Sequence, residues 1–207
     1  MSVKTFRLAV WFLIGLSVAT LTYLSLRGPG GAALGFGTTA DATVTFGGPF
    51  SMTAHTGETV SEKTYAGRPW MMFVGFTYCP EICPTTLAEM TTWYQELGAD
   101  AQDLRGFLIS VDPERDTVEA LSRYMSSFDS RIVALRPSPA ELERFTKAYK
   151  IYYKKVDTGD GTYTMDHTAG VLLFDREGLF AGAIDLQEPR KTALQKLRRL
   201  VAGGLDS

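Results

Sequence analysis

Residues 70–84 read WMMFVGFTYCPEICP. The apolar run Trp70 to Phe76 predicts a strand buried on both faces. Cys79 and Cys83 follow it, and Pro84 marks the opening turn of a helix. A strand that runs through a short loop into a helix begins a β-α-β unit. In open α/β sheets, binding sites collect just beyond the carboxyl ends of the strands, which is where the two cysteines fall.

Working outward, the same alternation continues. GFLISV, residues 106–111, is a second buried strand, and Asp116 with Glu119 forms a capping-box pattern that starts a helix running to about Phe128. Ile132 to Leu135 is a short strand. Ser138, Pro139 and Glu141 signal another helix, with Leu142, Phe145, Ala148 and Tyr149 on its apolar face. The period then changes. Ile151 to Val156 and Tyr163 to Met165 flank an Asp160-Gly161 turn, and Gly170 to Phe174 and Leu179 to Ile184 form a hairpin around 175–178. A last helix spans about Arg190 to Val201. Upstream, Phe50 to Thr53 and Thr59 to Ser61 surround Thr56-Gly57 as an extra hairpin. The expected fold is α/β: a thioredoxin-like three-layer sandwich with an additional N-terminal hairpin, preceded by one transmembrane helix.

The chain has 207 residues, of which 45% are hydrophobic and 21% charged, an ordinary globular composition. From Leu8 to Leu26 there is no charge, and a helix of that length roughly spans a bilayer's hydrocarbon core. Lys4 and Arg7 precede it, so the positive-inside bias puts the N-terminus in the cytosol or matrix and the rest outside. The competing reading is a cleaved signal peptide, against which stand an apolar run longer than the usual length of roughly 7–15 residues and only a weak small-residue site ending at Ala33. The expected organisation is an anchor over 1–27, a Gly-rich linker over 28–42 and one domain over 43–207. Beyond residue 27 acidic side chains outnumber basic ones, which argues against nucleic acid as a partner.

Cys79 and Cys83 are the only thiols in an exported domain. A purely structural disulfide is a weak reading, because closing so short a loop contributes roughly 2 kcal/mol to a domain large enough for its own core. Cys83 is expected at the N-terminus of the helix, where the dipole favours thiolate and lowers its pKa. Two thiolates plus an imidazole satisfy a trigonal Cu(I) site, whereas zinc usually wants a fourth ligand. Of the two histidines, His167 stands on a turn just before the strand Gly170 to Phe174 and can face the cysteine loop, with Asp166 able to set its tautomer. His55 belongs to the early hairpin and is read as exposed. Asp112 is read as closing the loop after its strand, and Tyr152, Tyr153, Met71 and Met72 as packing residues.

Four stretches carry a resemblance: GFTYCPEICP at 75–84, SVDPERDT at 110–117, YKIYY at 149–153 and DHT at 166–168. In this order they resemble the Sco/SenC proteins, copper chaperones for cytochrome c oxidase assembly. The resemblance implies a membrane-anchored, thioredoxin-like domain that binds copper as Cu(I), with Cu(II) left open, through Cys79, Cys83 and His167. It implies loading of the Cu-A centre of oxidase subunit II, an upstream copper donor, and an inner-membrane location with the domain in the periplasm or mitochondrial intermembrane space. Glu81 stands where the family often has Asp and keeps the charge. The alternative is a non-metal role: the dithiol acts as a thiol-disulfide oxidoreductase on that subunit's cysteines.

Overall fold

A computed structural model describes residues 3–27 and 46–203. The chain divides into two units, residues 1–44 and 45–207. In the first, Val3–Arg27 form a single helix, α1, and its described side chains over 11–23 are exposed. Among the described residues no helix is long and apolar enough to cross a membrane. The span expected from the sequence, Leu8 to Leu26, extends beyond those described side chains at both ends, and the 28–42 linker lies outside the described residues.

The second unit is built on a mixed seven-stranded sheet with strand order β2-β1-β5-β4-β3-β8-β9. Its centre is β3 (Trp70–Gly75), β4 (Arg105–Ser110) and β5 (Ile132–Arg136), which pair in parallel. The hairpin β8 (Val171–Phe174) and β9 (Phe180–Ile184) adds antiparallel to β3 on one side, and the hairpin β1 (Ser51–Ala54) and β2 (Thr59–Ser61) to β5 on the other. Every residue of β3 is buried, as a strand covered on both faces must be.

Alternation along the strands separates the two faces. On one, α2 (Ile82–Leu97) packs so closely that a Cβ on Gly106 would lie 3.0 Å from the Tyr94 hydroxyl, and α5 (Arg190–Val201) contacts α2 beside it. On the other, Trp70 stacks on its cross-strand partner Phe174 with centroids 3.8 Å apart, and Tyr149, at the end of α4 (Pro139–Ala148), closes edge-on against both rings. Helices on both faces of the sheet give the three layers that the strand-helix alternation predicts.

Local signals hold to within a few residues, with one correction. Ser138 caps α4 as expected, its Oγ accepting the Glu141 N–H at 3.2 Å, with Pro139 behind it. The cap of α3 (Val118–Met125) is Thr117, not Asp116: Thr117 Oγ1 accepts the Ala120 N–H at 3.1 Å. Asp116 is turned into the protein instead. The start of α2 at Ile82 puts Pro84 in its first turn, as expected, with the helix beginning two residues before the proline. The remaining strands, β6 (Tyr153–Asp157) and β7 (Tyr163–His167), form a separate two-stranded sheet. Lys150, in the left-handed region at φ 54°, ends α4 and sends the chain into it, while the Ile151 N–H closes the turn on the Thr146 carbonyl at 2.8 Å.

Candidate metal centre

The end of β3 delivers the chain to its first cysteine. Gly75 is the last residue of β3, and the Cys79 N–H donates back to the Phe76 carbonyl at 3.3 Å, so residues 76–79 make a tight turn. Helix α2 begins with Glu81 at its cap position, but that side chain makes no capping hydrogen bond. The sulfur of Cys79 accepts an N–H of the first helical turn instead, that of Cys83 at 3.3 Å. The two thiols are free and share one loop-to-helix junction.

They differ in exposure. Cys79 is half-buried and Cys83 has no exposed surface. Burial, reinforced by the hydrogen bond with Cys79, pushes the Cys83 thiol far above its ordinary range. The sequence expectation of a lowered Cys83 pKa is therefore corrected. The helix terminus is present, but desolvation of the sulfur outweighs it, because the side chain points down into the core rather than out along the axis.

Gly75 makes that depth achievable. A Cβ on residue 75 would sit 2.9 Å from Cys83 Sγ, 3.0 Å from a Phe73 ring carbon and 3.2 Å from a Leu108 methyl. Gly75→Ala is expected to lower stability by about 1–3 kcal/mol through overpacking and to force the Cys83 sulfur outward. Urea unfolding and thiol alkylation rates measured together check this. Faster alkylation of Cys83 with a drop in stability is the expected pair; no change in either excludes the packing argument.

His167 ends β7, paired with Tyr153 of β6. Its ring stands edge-on to Phe76 at 5.9 Å and to Phe73 at 6.2 Å, the two aromatic residues that flank the end of β3. Nδ1 lies 2.9 Å from the Thr168 carbonyl. A carbonyl only accepts, so Nδ1 donates in this contact, and in the neutral imidazole the lone pair then lies on Nε2, the form a metal needs. Asp166 does not do this work: it is exposed on the opposite side of the strand, and a backbone carbonyl orients the imidazole instead. Among the described residues there is no group of three or more His, Cys, Asp or Glu side chains already arranged to hold a metal ion. The structure brings the two thiols together at one junction and stands His167 against the aromatic residues behind it.

His55 is half-buried rather than exposed. Its Nδ1 accepts the Ala134 N–H at 3.1 Å while its backbone N–H donates to the Ala134 carbonyl at 2.8 Å, and burial lowers its pKa. It extends the β1–β5 pairing and has no place at the thiols.

The 110–117 loop ties the cysteine turn to the histidine hairpin, a role that sequence reasoning missed. Asp116 is fully buried and takes hydrogen bonds from Ser110 Oγ at 2.6 Å, Thr77 Oγ1 at 2.6 Å and the Thr77 N–H at 3.2 Å. Arg115 pairs with Asp112, donates to the Tyr163 carbonyl at 2.9 Å, and places its guanidinium over the rings of Tyr163 at 3.7 Å and Tyr78 at 4.6 Å. Tyr163 returns its hydroxyl to Asp112 at 2.9 Å. Tyr78 neighbours Cys79 and Tyr163 belongs to β7, so one arginine touches both halves of the candidate centre. The signal in the sequence is the run of charge directly after an apolar strand.

The fold and these side chains define a thioredoxin-like domain with a dithiol at the carboxyl edge of its sheet and a histidine hairpin beside it. The chain belongs to the SCO1/SenC family, whose model matches residues 38–202. The mitochondrial protein SCO1 homolog of Homo sapiens is 38% identical over 137 residues, covering 65% of this chain and 46% of that one. A SCO2-like protein of Rickettsia conorii is 30% identical over 193 residues, 92% of this chain and 94% of its own length. The solved structure of Bradyrhizobium japonicum ScoI with copper bound superposes with a TM-score of 0.70 at 42% identity, over 75% of this chain and 99% of that one. The chain spans about half the length of the first curated relatives it matches.

Proposed function

We propose that this chain is a membrane-anchored copper metallochaperone that carries Cu(I) on Cys79, Cys83 and His167 and helps load the Cu-A centre of cytochrome c oxidase subunit II. The observation that carries the reading is the donor set. Two thiols share one helix junction, and an imidazole with its Nδ1 already engaged stands on a hairpin of the same domain, its Nε2 without a hydrogen-bond partner among the described residues. Soft sulfur donors with one nitrogen suit Cu(I). The relative solved with copper bound, at 42% identity, supports the same cargo.

The raised Cys83 pKa supplies a mechanism for coupling. A buried thiol resists ionisation in the apo chain, so taking up Cu(I) must expel its proton, and metal affinity rises with pH. Copper replaces the proton as the positive partner of a buried sulfur. Release to an acceptor is then favoured where a proton can return. His167 approaches from a hairpin outside the main sheet, so ligation by it can change while the sheet stays fixed.

The uncharged stretch Leu8 to Leu26 within α1 supports a single-pass anchor, with the domain on the outer side of the inner membrane, in the periplasm or intermembrane space. An upstream protein then supplies the copper.

A second reading rests on the unequal exposure of the thiols. Cys79, half-exposed, attacks a disulfide of subunit II and forms a mixed disulfide; Cys83, buried beside it, resolves this to a Cys79–Cys83 disulfide and leaves the target with two thiols. Anaerobic titration of the reduced full chain in detergent micelles with Cu(I), against a competing chelator, separates the two. One copper held per chain is expected. Failure to compete, together with rapid reduction of an oxidised subunit II domain, replaces the chaperone by the reductant.

A further inference from the structure

Beside the dithiol, a cleft of about 740 Å³ runs between α2 and the connection from β9 to α5. Ile82, Thr86 and Trp93 of α2 form one wall, and Gly170, Leu186 and Glu188 form the other. Ile82 and Leu186 are exposed apolar side chains at 48% and 37%.

Two polar atoms of the lining residues are buried without a hydrogen-bond partner among the described residues: the indole N–H of Trp93 and Oε1 of Glu188. Trp93 is only 5% exposed. Buried donors and acceptors left unpaired are costly, so both atoms call for a partner, which they meet when the side chains lining the cleft turn toward an occupant. The second carboxylate oxygen of Glu188 is already held by Lys196 at 2.6 Å, so what remains is an acceptor site rather than a free charge. One orphan is a donor and the other an acceptor. A single peptide unit offers the complementary pair, a carbonyl and an N–H. The rim adds a sign: Glu89 and Arg190 offset each other as an ion pair at 2.6 Å, which leaves Glu81 and Asp185 as the acidic groups.

We propose that this cleft binds an extended, basic segment of a partner polypeptide, its backbone bridging Trp93 and Glu188, an apolar side chain against Ile82 and Leu186, and a Lys or Arg facing the acidic rim. Glu81 and Ile82 lie between Cys79 and Cys83, so a segment held here brings its own protein up to the thiols. As the docking site of the copper acceptor the cleft rests on the delivery reading; binding of the segment itself needs no copper.

The test uses the reduced, copper-free full chain in detergent micelles and two capped pentapeptides, Gly-Lys-Leu-Lys-Gly and Gly-Glu-Leu-Glu-Gly. The chain has three tryptophans, and Trp93→Phe identifies the Trp93 indole N–H signal in a nitrogen-correlated NMR spectrum. The lysine peptide is expected to shift that signal saturably and the glutamate peptide to leave it in place. Glu188→Gln, and independently the exposed Glu81→Lys, are expected to weaken the lysine peptide by about tenfold. No shift with either peptide, or equal shifts with both, overturns the proposal. A shift on raising protein concentration alone overturns it in favour of a second copy of the chain. Cu(I) competition on the same unmutated sample reports separately: failure there removes the delivery reading and leaves the cleft standing.

Discussion

Cys83→Ser is expected to abolish one-to-one Cu(I) binding, Cys79→Ser to do the same, and His167→Ala to weaken it by more than the roughly 10–100-fold expected from losing a group that merely supports a ligand. The reasons differ. In Cys83→Ser a hydroxyl with negligible metal affinity occupies a fully buried position, and Cys79 is the only thiol left in the chain. In Cys79→Ser the N–H of Cys83 still finds an oxygen acceptor, so the helix start survives while the softer donor is lost. In His167→Ala both thiols remain, and the dithiol still oxidises to a disulfide at an ordinary rate. Chelator competition on the reduced variants, with thiol titration as the control for folding and redox state, checks all three. Unchanged copper affinity in His167→Ala dismisses the three-ligand centre and favours a two-sulfur site or the reductant.

The two cysteines of the proposed centre are legible in the sequence because the features that frame them are short and sharply punctuated. An apolar strand, a cysteine pair and a helix start are local features, and each is written within about five residues of the next. The parallel centre of the sheet follows from such units, as do the closing hairpin and the last helix. What is not legible depends on which way a side chain turns. Asp116 satisfies a capping pattern with Glu119, yet Thr117 next to it caps the helix, and the carboxylate is drawn inward by Ser110 and by Thr77, which is distant in sequence. Cys83 has the position of a helix N-terminal thiol, but its neighbour across the sheet junction is Gly75, whose missing side chain leaves room for the sulfur to sink. The Arg115 contacts span 37 and 48 residues to Tyr78 and Tyr163, a distance over which spacing within one sequence carries no signal.

Asp116→Ala is expected to cost about 3 kcal/mol of stability, because it leaves the hydroxyls of Ser110 and Thr77 and the Thr77 N–H without their shared acceptor inside the protein. Thr77 is two residues before Cys79, so the same substitution loosens the cysteine turn, and Cu(I) affinity is expected to fall within the roughly 10–100-fold range of a positioning residue. Asp116→Asn separates packing from charge. Burial raises the pKa of Asp116 above 3.8 despite the hydrogen bonds that favour its ionised form. The folded chain therefore holds this proton more tightly than the unfolded chain does. Stability from this group is fully present below the unfolded value and is lost as pH rises through the raised folded value. An amide has no such titration. The stability advantage of the native aspartate over the Asp116→Asn variant is therefore expected to be largest at about pH 4 and to shrink toward about pH 7, the reverse of what a carboxylate paired with a cation, such as Asp129 with Arg131, contributes. Urea unfolding of the full chain in micelles, followed by fluorescence of the buried Trp70 and Trp93, measures the difference across that range. A difference that grows toward neutral pH means that the hydrogen bonds from Ser110 and Thr77 outweigh burial, and that Asp116 holds the cysteine turn as a fully ionised carboxylate.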